Sequence, residues 1–405
     1  MDSMNATYTI ACNASPLGAT YVDSAPPIPP PYLQATAVFV YTLLSILTVG
    51  GNALVCLIVF QYMGVITVTN LFIANLAVTD LLIGLFCIPI VLISDYLLSD
   101  WPFGTFMCKF TSFAQSVFVV CTVYTLIAMS VDRYIAIIHP LKPKLTRKQC
   151  RILIGLLWTF SLVFSSPIFI DMHVRHTCFH RDTDNITEYT QTICETVGLP
   201  LSIQTAYNVA TLTIIYLIPL CVLTIVYIRL GWQLHQTHAP GEAHSERDAK
   251  IKKSKQKVIK MCFVVVIMFG VCWFPLQLYT NILSPYLDRI FHQEYVPHVY
   301  FAFHLMAMSN SCVNPAIYGV MSSKFRDGYL HYWHRLITCC GLVNNRFRMK
   351  QERRESMKLT PTFQHNHKTY ELTLKTHDIE FDRGSNTSVP CSIPLISSQR
   401  VSSNE

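Results

Sequence analysis

Seven apolar runs, each long enough to cross a bilayer, dominate the chain and leave little else for it to fold around. At about 20 residues per hydrocarbon crossing, helices can be drawn at roughly 33–60, 69–94, 105–138, 149–170, 204–232, 254–283 and 297–321. Of the 405 residues 51% are apolar and 14% charged, too few charges for a soluble domain, so lipid is the expected solvent. Three runs carry residues that lipid would not tolerate. Asp132-Arg133-Tyr134 closes the third, Cys272-Trp273-Phe274-Pro275 interrupts the sixth and Asn314-Pro315-Ala316-Ile317-Tyr318 interrupts the seventh. Charged or helix-breaking groups at that depth require a protein interior to satisfy them. The predicted fold is therefore an all-α integral membrane bundle of seven helices.

Basic residues set the predicted orientation. Lys142, Lys144, Arg147, Lys148 and Arg151 follow the third run, and Lys250, Lys252, Lys253, Lys255, Lys257 and Lys260 precede the sixth. The positive-inside rule places both connections in the cytoplasm. The opposite connections hold only Arg175, Arg181 and Arg289, and the first 32 residues hold no Lys or Arg, so the amino terminus is expected outside. Residues 61–68 carry neither and do not contribute. The sequons at Asn5, Asn13 and Asn185 all fall outside on this reading, where glycosylation is possible, while the one at Asn386 falls inside and is expected to be a false match. No cleavable leader is expected, because the first apolar run is long enough to span.

A net charge of +7 could suggest nucleic acid, but the basic residues cluster at the inner face, where anionic lipid and a cytoplasmic partner account for them. Outside, acids including Asp95, Asp100, Glu195, Asp288 and Glu294 outnumber the three arginines, which favours a cationic ligand.

The stretch 1–32 ends in a stiff proline-rich spacer at Pro26, Pro27, Pro29, Pro30 and Pro31. The longest outer connection, about 171–203, suits a short hairpin over the ligand mouth. Beyond the bundle, 33–321, the span 322–340 places Phe325, Tyr329, Tyr332 and Trp333 among basic residues at helical spacing, an interfacial amphipathic eighth helix. Cys339 and Cys340 at its end are candidate palmitoylation sites, and 341–405 reads as a disordered tail. Most of the fifteen cysteines lie in spanning runs as small apolar groups. Cys12, Cys108, Cys178 and Cys194 lie outside, where three pairings are open.

The motifs at Arg133, Trp273 and Pro315 together resemble the rhodopsin-like (class A) G-protein-coupled receptors, from about Leu33 to Cys340. The resemblance implies a Cys108–Cys194 disulfide, with Cys12 and Cys178 left for a second. It implies that Asp132 holds Arg133 at rest and that Arg133 meets a heterotrimeric G protein once the sixth helix swings out. No acid stands on Lys250–Lys260 as the second restraint found in many relatives. Phe269, Trp273 and Pro275, then Pro315 and Tyr318, then Pro219 and Tyr227, resemble the family's two-state hinges. Asp80 is a charge at membrane depth. The family seats an allosteric sodium ion there, with Thr122, Asn310, Ser311 and Asn314 as the matching partners. A protonated Asp80 bonded to Asn52 and Asn314 is the structural alternative. Otherwise no cofactor is expected.

The third helix carries Gln115 where amine receptors carry an aspartate, and the seventh has no retinal-binding lysine. Gln115 and His304 instead resemble receptors for amidated neuropeptides, the neuropeptide Y, RFamide and RYamide group with tachykinin-like features. On that resemblance the ligand pocket also includes Thr280, Gln277, Asn208 and Asp288. Ser284 stands where neuropeptide Y receptors carry an aspartate. Arrestin and receptor kinases are expected at the tail, at a plasma-membrane location. A transporter would need repeated halves or a broken-helix path, and an enzyme a nucleophile–base pair or metal cluster; neither is visible. The runner-up is a class A receptor for a lipid or other small non-amine ligand.

Overall fold

The computed structural model describes residues 20–22, 29–64, 66–139, 141–181, 187–236, 246–283 and 295–339. Six helices are long and apolar enough to cross a membrane: α1 (Pro31–Tyr62), α2 (Val68–Leu98), α3 (Gly104–Ile138), α4 (Arg147–Asp171), α5 (Leu201–Gln233) and the Ile259–Asn281 part of α6. The whole of α6 is Glu246–Leu278, continued by a wide turn at Tyr279–Leu283. The seventh spanning helix, α7 (Val296–Met321), is more polar, and the bundle compensates by burying His304, Asn310, Ser311 and Asn314 against its neighbours. After an extended Ser322, α8 runs Ser323–Cys339.

Local chemistry starts these helices where they start. Pro31 and Pro297 stand in the first turns of α1 and α7, where a missing N–H costs nothing. The Thr67 side chain caps α2 through the Asn70 N–H, 3.2 Å away, and Thr146 with Gln149 forms a reciprocal box at α4. Wide π-type turns at Ile83–Cys87 and Leu92–Leu98 flank Pro89, another at Leu212–Leu217 precedes Pro219, and the last at Tyr279–Leu283 follows Pro275. Each proline removes a backbone donor, and the wide turn takes up the misfit.

Two expectations change. The second helix extends to Leu98, past the expected end at 94, because the wide turn keeps the backbone helical. The sixth helix begins at Glu246, ahead of the expected start at 254, so the whole Lys250–Lys260 run is helical, as suits a good helix former such as lysine.

Polar side chains join the helices at depth, where no water competes. Asn75 donates to the Thr125 hydroxyl at 2.9 Å and accepts from the Trp158 indole at 3.0 Å, linking α2, α3 and α4. Asn52 donates to the Ser311 carbonyl at 2.9 Å and so links α1 to α7. Beside it Gly51 lets the helices close: a Cβ there would lie 3.0 Å from the Pro315 ring.

One end of the bundle is covered by a sheet. Strands β2 (Met172–Arg181) and β3 (Thr187–Thr196) pair antiparallel from Met172 opposite Thr196 to Arg181 opposite Thr187, and β1 (Thr20–Val22) adds in parallel at Thr177–Phe179. This is the expected hairpin, with an amino-terminal strand that was not anticipated. Asp171 fixes its base: the carbonyl accepts from Val197 and Gly198, and the carboxylate accepts from the Leu199 N–H and the Gln204 amide at 2.9 and 3.1 Å. Cys108 and Cys194 are bonded, tying β3 to the start of α3 with 5.7 Å between their α-carbons. Cys12 lies outside the described residues, as do Cys340 and the sequons at Asn5, Asn13 and Asn185.

Candidate functional site

Beneath the hairpin lies a cavity of about 380 Å³, walled by α2, α3, β3 and α7. Gln115 and His304, the expected pair, both line it. They differ in how free they are. His304 is buried, stacked on Tyr300 at 5.5 Å and hydrogen-bonded through Nδ1 to the Tyr41 hydroxyl at 2.7 Å, so it belongs to an internal polar contact as well as to the wall. No protein group among the described residues bonds the Gln115 amide, although the side chain is only half-buried.

The other expected ligand contacts are not brought to this cavity. Thr280 is exposed and bonds the Leu276 carbonyl one turn back at 2.9 Å, while the Gln277 amide oxygen accepts from Asn281 at 2.8 Å; both contacts stay within α6 and the wide turn that continues it. Asn208 is exposed on α5 and does not line the cavity. Asp288 and Ser284 lie outside the described residues. In their place α2 supplies Asp95 and Tyr96, the connection to α3 supplies Asp100, the hairpin supplies Gln191 and α7 supplies Tyr300. Asp95 was legible only as an acid near the outer face, because the second helix was expected to stop one residue before it.

At mid-depth, Asn314 donates to Asp80 at 2.8 Å. Asn52, expected to share Asp80, instead donates to the carbonyls of Thr48 and Ser311. The second carboxylate oxygen of Asp80 is buried with no partner, and so are the amide oxygens of Asn52, Asn310 and Asn314. Thr79 donates to the Leu76 carbonyl, which makes Thr122 the donor in the 2.9 Å Thr79–Thr122 contact and leaves the Thr122 lone pairs uncommitted. Phe118 is buried against Trp158. Phe269 and Trp273 are buried with ring centroids 6.0 Å apart, close to Pro275 on the same helix.

At the far end, Arg133 pairs with Asp132, its only ion-pair partner among the described residues. Tyr227, eight residues beyond the buried Pro219, meets the Ser130 hydroxyl at 3.0 Å, one turn before Arg133. Tyr318 is buried against Phe325, and its hydroxyl has no partner. Tyr134 stands edge-on to His139. Tyr329 of α8 donates to the Pro315 carbonyl at 3.0 Å, inside the last two turns of α7.

The comparisons with known proteins agree with this layout. The family model of the rhodopsin-family seven-transmembrane receptor matches residues 51–318. The RYamide receptor of Drosophila melanogaster is 35% identical over 307 residues, 75% of this chain and 64% of that receptor. Neuropeptide FF receptor 2 of Rattus norvegicus is 37% identical over 305 residues, 73% of this chain and 72% of its own length. The tachykinin-like peptides receptor 86C of Drosophila melanogaster is 35% identical over 326 residues, 78% of this chain and 62% of that receptor, so the chain covers a little under two thirds of two of these relatives. With the family match running from α1 into α7, the chain is a multi-pass membrane protein and belongs to the rhodopsin family of seven-transmembrane receptors.

Proposed function

We propose that this receptor is activated by an extracellular peptide with a C-terminal amide and passes the signal to a heterotrimeric G protein. The observation that carries the reading is the unbonded Gln115 carboxamide in the cavity wall, a neutral group that can donate to and accept from a peptide carboxamide at once. His304 closes the other side, held by Tyr41. The names of the relatives support the ligand class. A lipid ligand is disfavoured by the carboxylates of Asp95 and Asp100 in the same wall.

In this reading the hairpin end faces outside, with Asn5, Asn13 and Asn185 glycosylated. The Arg133 end faces the cytoplasm, with Cys339 and Cys340 palmitoylated and the Ser/Thr-rich tail serving kinases and arrestin. Peptide entering the cavity biases Trp273, Phe269 and Pro275, and the swing of α6 releases Arg133 from Asp132. The orphaned oxygens at mid-depth suit a small cation: Asp80, Asn310 and Asn314, with Thr122 and Ser311, would hold a sodium ion. Such an ion supplies the positive charge that the Asp80 carboxylate lacks.

Cells expressing the chain, exposed to a panel of amidated peptides and read by calcium and cyclic AMP, test the proposal. Activation by at least one amidated peptide but not by its free acid is expected. Activation only by lipids, or equally by acid forms, would overturn it.

A further inference from the structure

Between α5 and α6 lies a second cavity, of about 730 Å³, that the peptide reading does not use. Its rim, with Thr224, Ile228, Ile267 and Val271, is exposed, and its floor, with Leu223, Val266 and Gly270, is buried, so it opens sideways along two spanning helices. Ring contacts close both ends. Tyr216 lies against Phe274 with centroids 6.3 Å apart, and Tyr227 against Phe263 at 5.2 Å. At about 1.5 Å per residue the two contacts stand about 16 Å apart along each helix, close to one leaflet of a hydrocarbon core roughly 30 Å thick. Tyr227 also meets Ser130, one turn before Arg133, so the slot belongs to the leaflet on the Arg133 side.

A separate observation says what fills it. Thr159 and Thr205, exposed on α4 and α5, each bond a carbonyl four residues back, Gly155 and Leu201. Thr224, exposed in the slot, makes no such bond, and its hydroxyl has no partner among the described residues. A hydroxyl in hydrocarbon without a partner is costly. Gly270 keeps the floor flat beside it, since a Cβ there would already lie 3.2 Å from Leu220 Cδ2. An acyl chain offers the hydroxyl nothing and must give up rotational freedom in a slot of fixed length. A sterol arrives rigid, with a flat ring face and one hydroxyl that both donates and accepts. Leu223, Tyr227 and Arg229 on α5 also follow the apolar, aromatic, basic order associated with sterol contact, a pattern that carries little by itself.

We propose that the slot between α5 and α6 binds one membrane sterol, with its hydroxyl on Thr224, and that the bound sterol favours the arrangement described above over one in which α6 has swung. The coupling rests on the G-protein reading, because Phe263 and Pro275, which line the slot, belong to the helix that moves. A ligand that fits one arrangement better shifts the balance toward it.

The test uses the purified full-length receptor in phosphatidylcholine nanodiscs that contain a cholesterol analogue bearing a photoreactive diazirine, followed by peptide mapping of the labelled residues. Labelling is expected on the slot residues of α5 and α6, displaced by cholesterol and several-fold less well by its 3α epimer. Thr224→Val keeps the shape and should weaken the labelling about three- to tenfold, as for one lost hydrogen bond. Ile267→Trp fills the slot from its rim and should abolish the labelling, whereas Ile225→Trp, exposed on α5 outside the slot, should leave it unchanged. If Ile267→Trp fails to fold, Thr224→Val decides. Labelling spread evenly over the lipid-facing helices, equal displacement by the 3α epimer or by oleic acid, or labelling that Thr224→Val leaves intact overturns the site. Nucleotide exchange on a purified G protein without peptide should be several-fold slower in cholesterol-containing discs than in sterol-free ones, and Ile267→Trp should remove the difference. An exchange rate indifferent to cholesterol overturns the coupling. Absence of exchange under every condition would overturn the G-protein reading and the coupling with it, while the labelling still decides the site.

Discussion

The two ends of the bundle differ in what their polar atoms still lack. At the Arg133 end they are largely matched to one another: Arg133 with Asp132, Tyr227 with Ser130, Tyr329 with the Pro315 carbonyl. Under the hairpin they are left over: the Gln115 amide and single oxygens on Thr111, Ser99 and Gln191, while the Asp95 carboxylate accepts from no residue among those described but its neighbour Ser94. A closed network must be broken before it can act on anything else. An open one is completed by whatever enters. The first arrangement suits a resting transducer face and the second an unliganded binding site, and the polar core around Asp80 lies between them. Tyr318 is the exception that fits the contrast, since its buried hydroxyl has no partner in this arrangement and gains one only if its surroundings move.

The sharpest way to break the comparison is Arg133→Ala. The residue belongs to the closed end and lies far from the cavity, so nucleotide exchange on a purified G protein should fall to background while peptide binding at matched surface expression persists. Exchange at the unmutated level would remove Arg133 from the switch, and a parallel loss of binding would show that the two ends are not separable.

Next in size is the ligand's own terminus. Replacing the peptide amide by a free acid puts a carboxylate into a wall that already holds Asp95 and Asp100, so affinity should drop by roughly two to three orders of magnitude, in line with several kcal/mol for a buried unpaired charge. Gln115→Ala should weaken the amide form and narrow the gap between the two forms, because the group that tells them apart has gone. Binding curves for both forms on both receptors decide it, and a gap that Gln115→Ala leaves unchanged would move the amide seat elsewhere in the cavity.

How legible each end was follows from the same physics. The residues proposed as the switch could be read because lipid forbids them: an ion pair, a Trp-Phe-Pro and an Asn-Pro inside apolar runs stand out by composition. The Cys108–Cys194 bond and the hairpin were legible through the family resemblance, and the structure contains both. The cavity wall was only half legible. Gln115 and His304 are there, but Thr280 and Gln277 turn their polar atoms back into α6, a choice between equivalent local bonds that spacing cannot reveal. Asp95 was hidden by a backbone detail: the wide turn at Leu92–Leu98 prolongs α2 and carries an apparent loop acid into the cavity. The Asp80–Asn52 contact failed because Asn52 has two carbonyls closer at hand.

The hairpin's attachment at the open end, through the Cys108–Cys194 bond, should be a single cooperative unit. Cys108→Ser and Cys194→Ser should each lower surface expression or peptide binding by a similar factor, on the order of tenfold for a loss of a few kcal/mol shared among other anchors. The double variant should be no worse than either. Additive losses would mean that the two thiols act separately, and non-reducing peptide mapping that joined Cys108 to Cys178 would contradict the bond itself.

The smallest effect expected comes from two adjacent glycines on α1. A Cβ on Gly51 would lie 3.0 and 3.2 Å from ring carbons of Pro315, whereas a Cβ on Gly50 meets nothing within 4 Å. The proline ring cannot rotate away, so Gly51→Ala must push α1 from α7 by a few tenths of an ångström and lengthen the 2.9 Å bond from the adjacent Asn52 to the Ser311 carbonyl. Overpacking of this kind costs about 1–3 kcal/mol, and at roughly 2–4 °C per kcal/mol for a body of this size the unfolding midpoint in detergent should fall by several degrees. Gly50→Ala adds a better helix former with no clash, so its midpoint should match or exceed that of the unmutated protein. Because Pro315 lies between the Asp80 layer and the Arg133 end, Gly51→Ala should also change signalling without ligand while the affinity of the cavity for peptide stays within about twofold, as distant sites do when they are energetically independent. Equal midpoints for the two variants would show that the α1–α7 contact has more slack than 3.0 Å implies, and a large change in peptide affinity would show that the open and closed ends are coupled through α7 even at rest.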